Sequence, residues 1–240
     1  MADPTHTLVK KPQMTLRDLA DYMGSSAQAR RTFIRDCKYR KIARLIQHKE
    51  AKAIATNWLV DGSMDPAKLH AKAAAMERRL FADDFDEKTT KYNADYVRRF
   101  ADTYTGEFLH GFTIEGAKVM PAVIVNGVRI TFDPAVFLTR VNKVNALKIG
   151  VMQLRYAKGT PLDPHVGEHQ SAFMFAHLKN APFVENGESE KAMCLTHDAY
   201  TGKAYAAPGN SVYLYNEMAA NCATIADAWD NIAPPAGAVF

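Results

Sequence analysis

The sequence predicts a mixed α/β (α+β) protein, a helical N-terminal part followed by a mixed β-sheet flanked by helices. Three observations carry this. Apolar residues over about the first hundred positions recur at helical spacing. From Val119 the chain turns to short runs rich in β-branched residues, VMPAVIV, VRITFD and AVFLTR. Helical patterns, EHQSAFMFAHLKN and LYNEMAANCATIADAW, then alternate with strand-like runs. With 48% hydrophobic and 10% aromatic residues in 240, the chain can fill a core, and a disordered class is excluded.

The elements follow in order. Residues 1–13 read as a flexible tail. Thr15 caps a helix with Leu16, Leu19, Ala20 and Met23 on one face, and Gly24-Ser25-Ser26 breaks it. A second helix is predicted from Ala27 into the forties, a third over about 49–60 ending at Asp61-Gly62, and a fourth from Pro66 to about Leu80. A fifth covers about 90–104. The helical region is therefore 14–105 and the α/β core 106–232, with a second tail at 233–240. Within the core, Asn126-Gly127 is a two-residue hairpin signal. KIGVMQLRYAK is a long strand, KAMCLTHD another, and GKAYAAP a short one.

Charge and cysteine usage narrow the function classes. The formal net charge is +4, unevenly spread: nine Lys or Arg stand against two acids between Arg30 and Lys52, and none follows Lys203. A polyanion contact is expected in the N-terminal half. Arg30, Arg31, Arg35, Lys38, Arg40, Lys41, Arg44 and, further on, Lys158 are the candidate phosphate contacts, with Tyr39 available for stacking. The helix, Gly-containing turn and basic second helix of TLRDLADYMGSSAQARRTFIRD also have a helix-turn-helix layout, although a solvated helix face explains the same charges. Three widely spaced cysteines exclude a zinc knuckle and a disulfide framework. No secretion-signal pattern and no apolar run near 18 residues is present, so a cytoplasmic protein without a membrane span is expected. There is no Walker loop, G-x-G-x-x-G or G-x-S-x-G.

Alternation along KIGVMQLRYAK places Val151, Gln153 and Arg155 on one face and Met152, Leu154, Tyr156 and Lys158 on the other. Asp133 leaves a neighbouring strand-like run and could face the same pocket. Gln170 follows in the helix. In this order the chain resembles the PD-(D/E)XK nuclease superfamily, in its RecB-like branch, over about residues 90–232. That family has a helical region, a hairpin, an aspartate, a strand carrying E-x-K and a helix with Q-x-x-x-Y. Asp133 matches the aspartate, although Pro134 follows it instead of preceding it. Gln153 stands for the glutamate, Arg155 for the lysine, Gln170 for the helix glutamine, and Met174 for the tyrosine.

The resemblance implies a restriction-endonuclease-like core, a Mg²⁺ or Mn²⁺ cofactor and a nucleic-acid substrate, DNA more than RNA. It also implies a place in a bacterial defence or DNA-processing assembly. The departures weaken the chemistry. A neutral glutamine removes one of the charges that hold a hard cation. Arginine stays protonated and suits static phosphate binding. A degenerate, nucleic-acid-binding member with weak or no catalysis is therefore expected. One alternative is an active nuclease in which Asp133 recruits Glu107 or His110 as metal ligands. The other is a non-catalytic scaffold for a protein partner or a homo-oligomer.

Overall fold

A computed structural model describes residues 4–42, 48–62 and 64–240. Arg44, one of the candidate phosphate contacts, lies outside the described residues.

In chain order the elements are β1 (His6–Leu8), β2 (Gln13–Thr15), α1 (Leu16–Met23), α2 (Ala27–Lys38), β3 (Tyr39–Lys41), α3 (Lys49–Asp61), α4 (Pro66–Glu77) and α5 (Asp84–Thr103). There follow β4 (Thr113–Gly116), β5 (Val123–Val125), β6 (Val128–Thr131), β7 (Val136–Val141), β8 (Leu147–Arg155), α6 (Pro164–Asn180), β9 (Glu188–Asp198), β10 (Lys203–Ala206) and α7 (Ser211–Ala228). The mixed α/β class is as expected.

The helix signals act as read. Thr15 and Asp18 form a reciprocal capping box, Thr15 Oγ1 accepting from the Asp18 N–H and Asp18 from the Thr15 N–H. Pro66 and Pro164 each open a helix behind an aspartate whose carboxylate accepts a backbone N–H. Asn126 and Gly127 both take positive φ, 43° and 85°, as a two-residue hairpin between β5 and β6 requires.

Six expectations are corrected. The first hundred residues are not all helical, and the described residues 4–13 of the expected tail are tied into sheets. β1 pairs antiparallel with β3, and β2 pairs parallel with β6. The second helix stops at Lys38 because Tyr39–Lys41 is taken up in that pairing. The C-terminal tail is tied down as well: the N–H groups of Thr5 and His6 donate to the Val239 carbonyl, and Phe240 packs on Tyr39. The hairpin β5–β6 belongs to a separate three-stranded sheet, β2-β6-β5, instead of the main one. α5 begins at Asp84, earlier than read, because Asp83 caps it.

The main sheet has the order β10-β9-β8-β7-β4. β7 is antiparallel to β4 and β8, β8 is parallel to β9 with α6 as the connection, and β10 is antiparallel to β9. Each face is covered. Val151, Phe137, Ile149 and Cys194 pack with α1, α6 and α7. Met152, Leu154, Tyr156 and Leu195 pack with α3, α4 and α5. The predicted alternation of β8 is thus realised as two cores. Among the described residues no helix is long and apolar enough to cross a membrane.

Two sites set stability. At Gly150 the register between β8 and β9 shifts, and an added Cβ would lie 2.1 Å from the Met193 carbonyl oxygen. At Gly209 nothing lies within 4 Å of such an atom. Gly150→Ala is expected to lower stability by about 3 kcal/mol or abolish folding, and Gly209→Ala to change it by less than about 1 kcal/mol. Denaturant titration checks both.

His197 is fully buried on the second core, stacked on Phe108 and edge-on to Phe100. Neither ring nitrogen makes a well-formed hydrogen bond. Burial pushes its pKa down to about 4, against weaker opposing effects of Asp198 and the Gly202 backbone. The unfolded chain therefore takes up a proton that the folded chain refuses as pH falls from about 6.5 towards 4. Stability present above pH 6.5 should fall by about 3 kcal/mol across that window. His197→Phe should remove that part of the slope, measured as the denaturation midpoint at pH 7 and pH 4.

Candidate functional site

Arg155, Gln170 and Gln153 are built into one chain of hydrogen bonds that ends on the Asp133 backbone. β8 holds Gln153 and Arg155 on the face covered by α6 and α1, and both are buried. Arg155 Nη1 donates to Gln170 Oε1 at 2.9 Å. Gln170 Nε2 donates to Gln153 Oε1 at 2.5 Å. Gln153 Nε2 donates to the Asp133 backbone carbonyl at 3.4 Å. The other guanidinium nitrogen of Arg155 donates to Asp21 Oδ1 at 2.6 Å, across 134 residues of sequence. Burial lowers the Arg155 pKa, and the Asp21 carboxylate opposes that shift.

A neutral amide at 153 suits this chain because it both accepts and donates. A glutamate there would set carboxylate oxygen against the Asp133 carbonyl oxygen. Arg155 is likewise consumed, so it is not a free phosphate contact. Met174, in place of the family tyrosine, is core.

Asp133 does not share a pocket with Gln153 and Arg155. Only its backbone carbonyl reaches Gln153. The exposed Asp133 lines a cleft of about 650 Å³ between the β6–β7 connection and α3, with Leu154, from the opposite face of β8, in its wall. The charged residues around that cleft are Arg17 of α1 and Lys49 and Lys52 of α3, with His48 beside them. Burial, then the proximity of Arg17, lowers the Lys52 pKa; Asp133 acts the other way and Arg155 adds to the lowering. Burial, then Arg17 and Lys52, likewise lower the His48 pKa. Neither Lys49 nor Lys52 has an ion-pair partner among the described residues, while Arg17 reaches Asp21 only at 3.8 Å.

No model of a known protein family matches the chain, and no curated protein matches it.

The anticipated metal ligands do not converge. Glu107 and His110, in and beside a short 3₁₀ turn, line a different cavity with Trp58 and Tyr104, which Asp133 does not border. Among the described residues no group of three or more His, Cys, Asp or Glu is placed to hold a metal. A lone carboxylate among three cations does not fit Mg²⁺ or Mn²⁺, which take several oxygen ligands.

The basic segment is also partly spent on the fold. Arg30 donates to the Tyr22 and Met23 carbonyls at the end of α1. Lys38 is buried, and its Nζ donates to the carbonyls of Trp229, Asp230 and Ile232 just beyond α7. These cations satisfy helix-end carbonyls. Arg35 is half-buried and lies 3.9 Å from Asp36. Arg31, Arg40 and Lys41 are exposed, while Lys158 pairs with Asp95 at 3.5 Å.

The cleft residues Arg17, Lys49 and Lys52 carried no motif. One local signal was present: the α3 sequence starts with lysines behind a histidine, without Ser, Thr, Asp or Asn at the capping position.

Arg155→Ala would strand Asp21 and Gln170, and is expected to cost about 3–5 kcal/mol. Arg155→Lys should recover little of this, because a lysine cannot bridge two partners with a planar fork. Gln153→Glu should cost about 1–3 kcal/mol at neutral pH. Chemical denaturation of the three variants measures the order, and a neutral Arg155→Ala would remove the network from the account.

Proposed function

We propose that the chain binds nucleic acid, DNA in preference to RNA, through the Arg17, Lys49 and Lys52 cleft, without hydrolysing it. The support is the order of elements. α5, β4, the inserted β5–β6 hairpin of the smaller sheet, β7, β8, the crossover helix α6 and the parallel strand β9 come in that order, and we compare α5, β4, β7, β8, α6 and β9 with a PD-(D/E)XK-like core. Asp133 stands before the β7–β8 hairpin, Gln153 and Arg155 stand on β8, and Gln170 stands on α6.

The single observation that carries the reading is the closed Arg155–Gln170–Gln153 chain beside a cation-rich cleft. Positions that would serve chemistry hold the fold together, and the cleft on the opposite face of β8, which Asp133 lines, carries the cations suited to phosphate. Unpaired lysines and an arginine supply charge-assisted donors there. A binding surface needs no ligand set for a metal.

The test combines binding and cleavage on labelled single- and double-stranded DNA and RNA in Mg²⁺ and Mn²⁺. Retention without cutting is expected. Lys49→Gln with Lys52→Gln should weaken binding by about tenfold or more and flatten its dependence on salt, by roughly 0.7–0.9 in slope per lost phosphate contact. Cutting that disappears in Asp133→Ala would replace this reading with an active nuclease. An absence of both cutting and retention would favour a protein-binding scaffold.

A further inference from the structure

The cleft has a charge arrangement more specific than a basic surface. Arg17, Lys49 and Lys52 face one carboxylate, Asp133, for a net charge of +2. Two neutral hydrogen-bonding side chains, Thr56 and Asn57, complete the polar lining. α3 begins at this cleft, and the side chain of its N-cap residue, His48, makes no capping hydrogen bond. Lys49 opposes the helix dipole while Glu50 beside it favours it, and an anion placed in the cleft would meet the lysines and the helix N-terminus together. The buried Nδ1 atom of His48 also has no hydrogen-bond partner.

On the other side of Arg17 the surface changes sign. The adjoining pocket is bordered by Arg155 but also by Asp21, Asp163 and Asp198. Asp198 is buried and bonded within the fold, so a polyanion running through the cleft would meet Asp163 and Asp21. A strand that ends in the cleft would not. An internal phosphodiester carries one negative charge, whereas a terminal phosphomonoester carries about two at neutral pH. The second matches the cleft.

We infer that the cleft is a phosphomonoester site that receives the phosphorylated end of a nucleic-acid strand. This rests on the nucleic-acid reading above and narrows it to one substrate class. Lys49 and Lys52 contact the dianion, Arg17 marks the boundary with the acidic pocket, and the remainder of the strand leaves away from Asp163 and Asp21.

The experiment measures fluorescence anisotropy of one short oligonucleotide in three forms, with a 5′-phosphate, with a 3′-phosphate, and with hydroxyls at both ends. Inorganic phosphate and a nucleoside monophosphate serve as competitors. One phosphorylated form is expected to bind about tenfold more tightly than the hydroxyl form. Lys52→Gln and the exposed Lys49→Gln should each lose that advantage, while Lys52→Arg retains most of it. Melting curves of each variant separate lost binding from lost folding, and Lys49→Gln provides the surface change least able to unfold the chain. Equal binding of all three forms would overturn the inference and leave the nucleic-acid reading standing. Binding of no oligonucleotide would overturn both. Binding of inorganic phosphate or the mononucleotide without any oligonucleotide would keep the anion site but sink its assignment to a strand end.

Discussion

The buried guanidinium of Arg155 is the constraint around which the site is organised. A charge removed from water must be matched by hydrogen bonds and an opposite charge, or the fold loses several kcal/mol. Arg155 meets this by joining three elements distant in sequence: its own strand β8, the crossover helix α6 through Gln170, and α1 through Asp21. Gln153 extends the chain to the backbone beside Asp133. The relative positions of α1, β8 and the Asp133 turn therefore depend on one connected set of donors and acceptors. Arg17, one helical turn before Asp21, is carried to the cleft by the same arrangement.

Cations in this chain do two different jobs. Arg30 and Lys38 are turned inwards and satisfy carbonyl groups at the ends of α1 and α7. Their charge is used up locally, in the way that lysines and arginines complement helix C-termini. Lys49 and Lys52 stand at the opposite kind of helix end, where positive charge is unfavourable. Desolvation and like charge lower the pKa of Lys52 there. Glu50 offsets the two lysines within the first turn, and an anion in the cleft would offset them further. That asymmetry singles out the cleft among the basic surfaces of the molecule.

The two chain ends add a smaller constraint. β1 pairs with β3, the Val239 carbonyl accepts from Thr5 and His6, and Lys38 caps the segment after α7. Short polar runs that look unstructured in isolation become ordered because each offers backbone groups to the other.

By itself the sequence determined what depends on local periodicity and turn chemistry. The mixed class, the Asn126-Gly127 hairpin, the Thr15 cap, the long strand at 147–155 and the shared face of Gln153 and Arg155 all follow from spacing or from a residue's own dihedral preference. Tertiary structure alone decided which partners those residues meet. Asp133 lies one strand before the strand of Gln153, yet lines a different cleft, because the chain passes there from the smaller sheet into the main one. Glu107 and His110 line another cavity for the same kind of reason. Arg155 finds Asp21 134 residues away, and Arg17 and Lys52 come to line one cleft although their helices belong to different cores. Periodicity states which face a side chain presents; it carries no information on which distant carbonyl, carboxylate or cation will be opposite it.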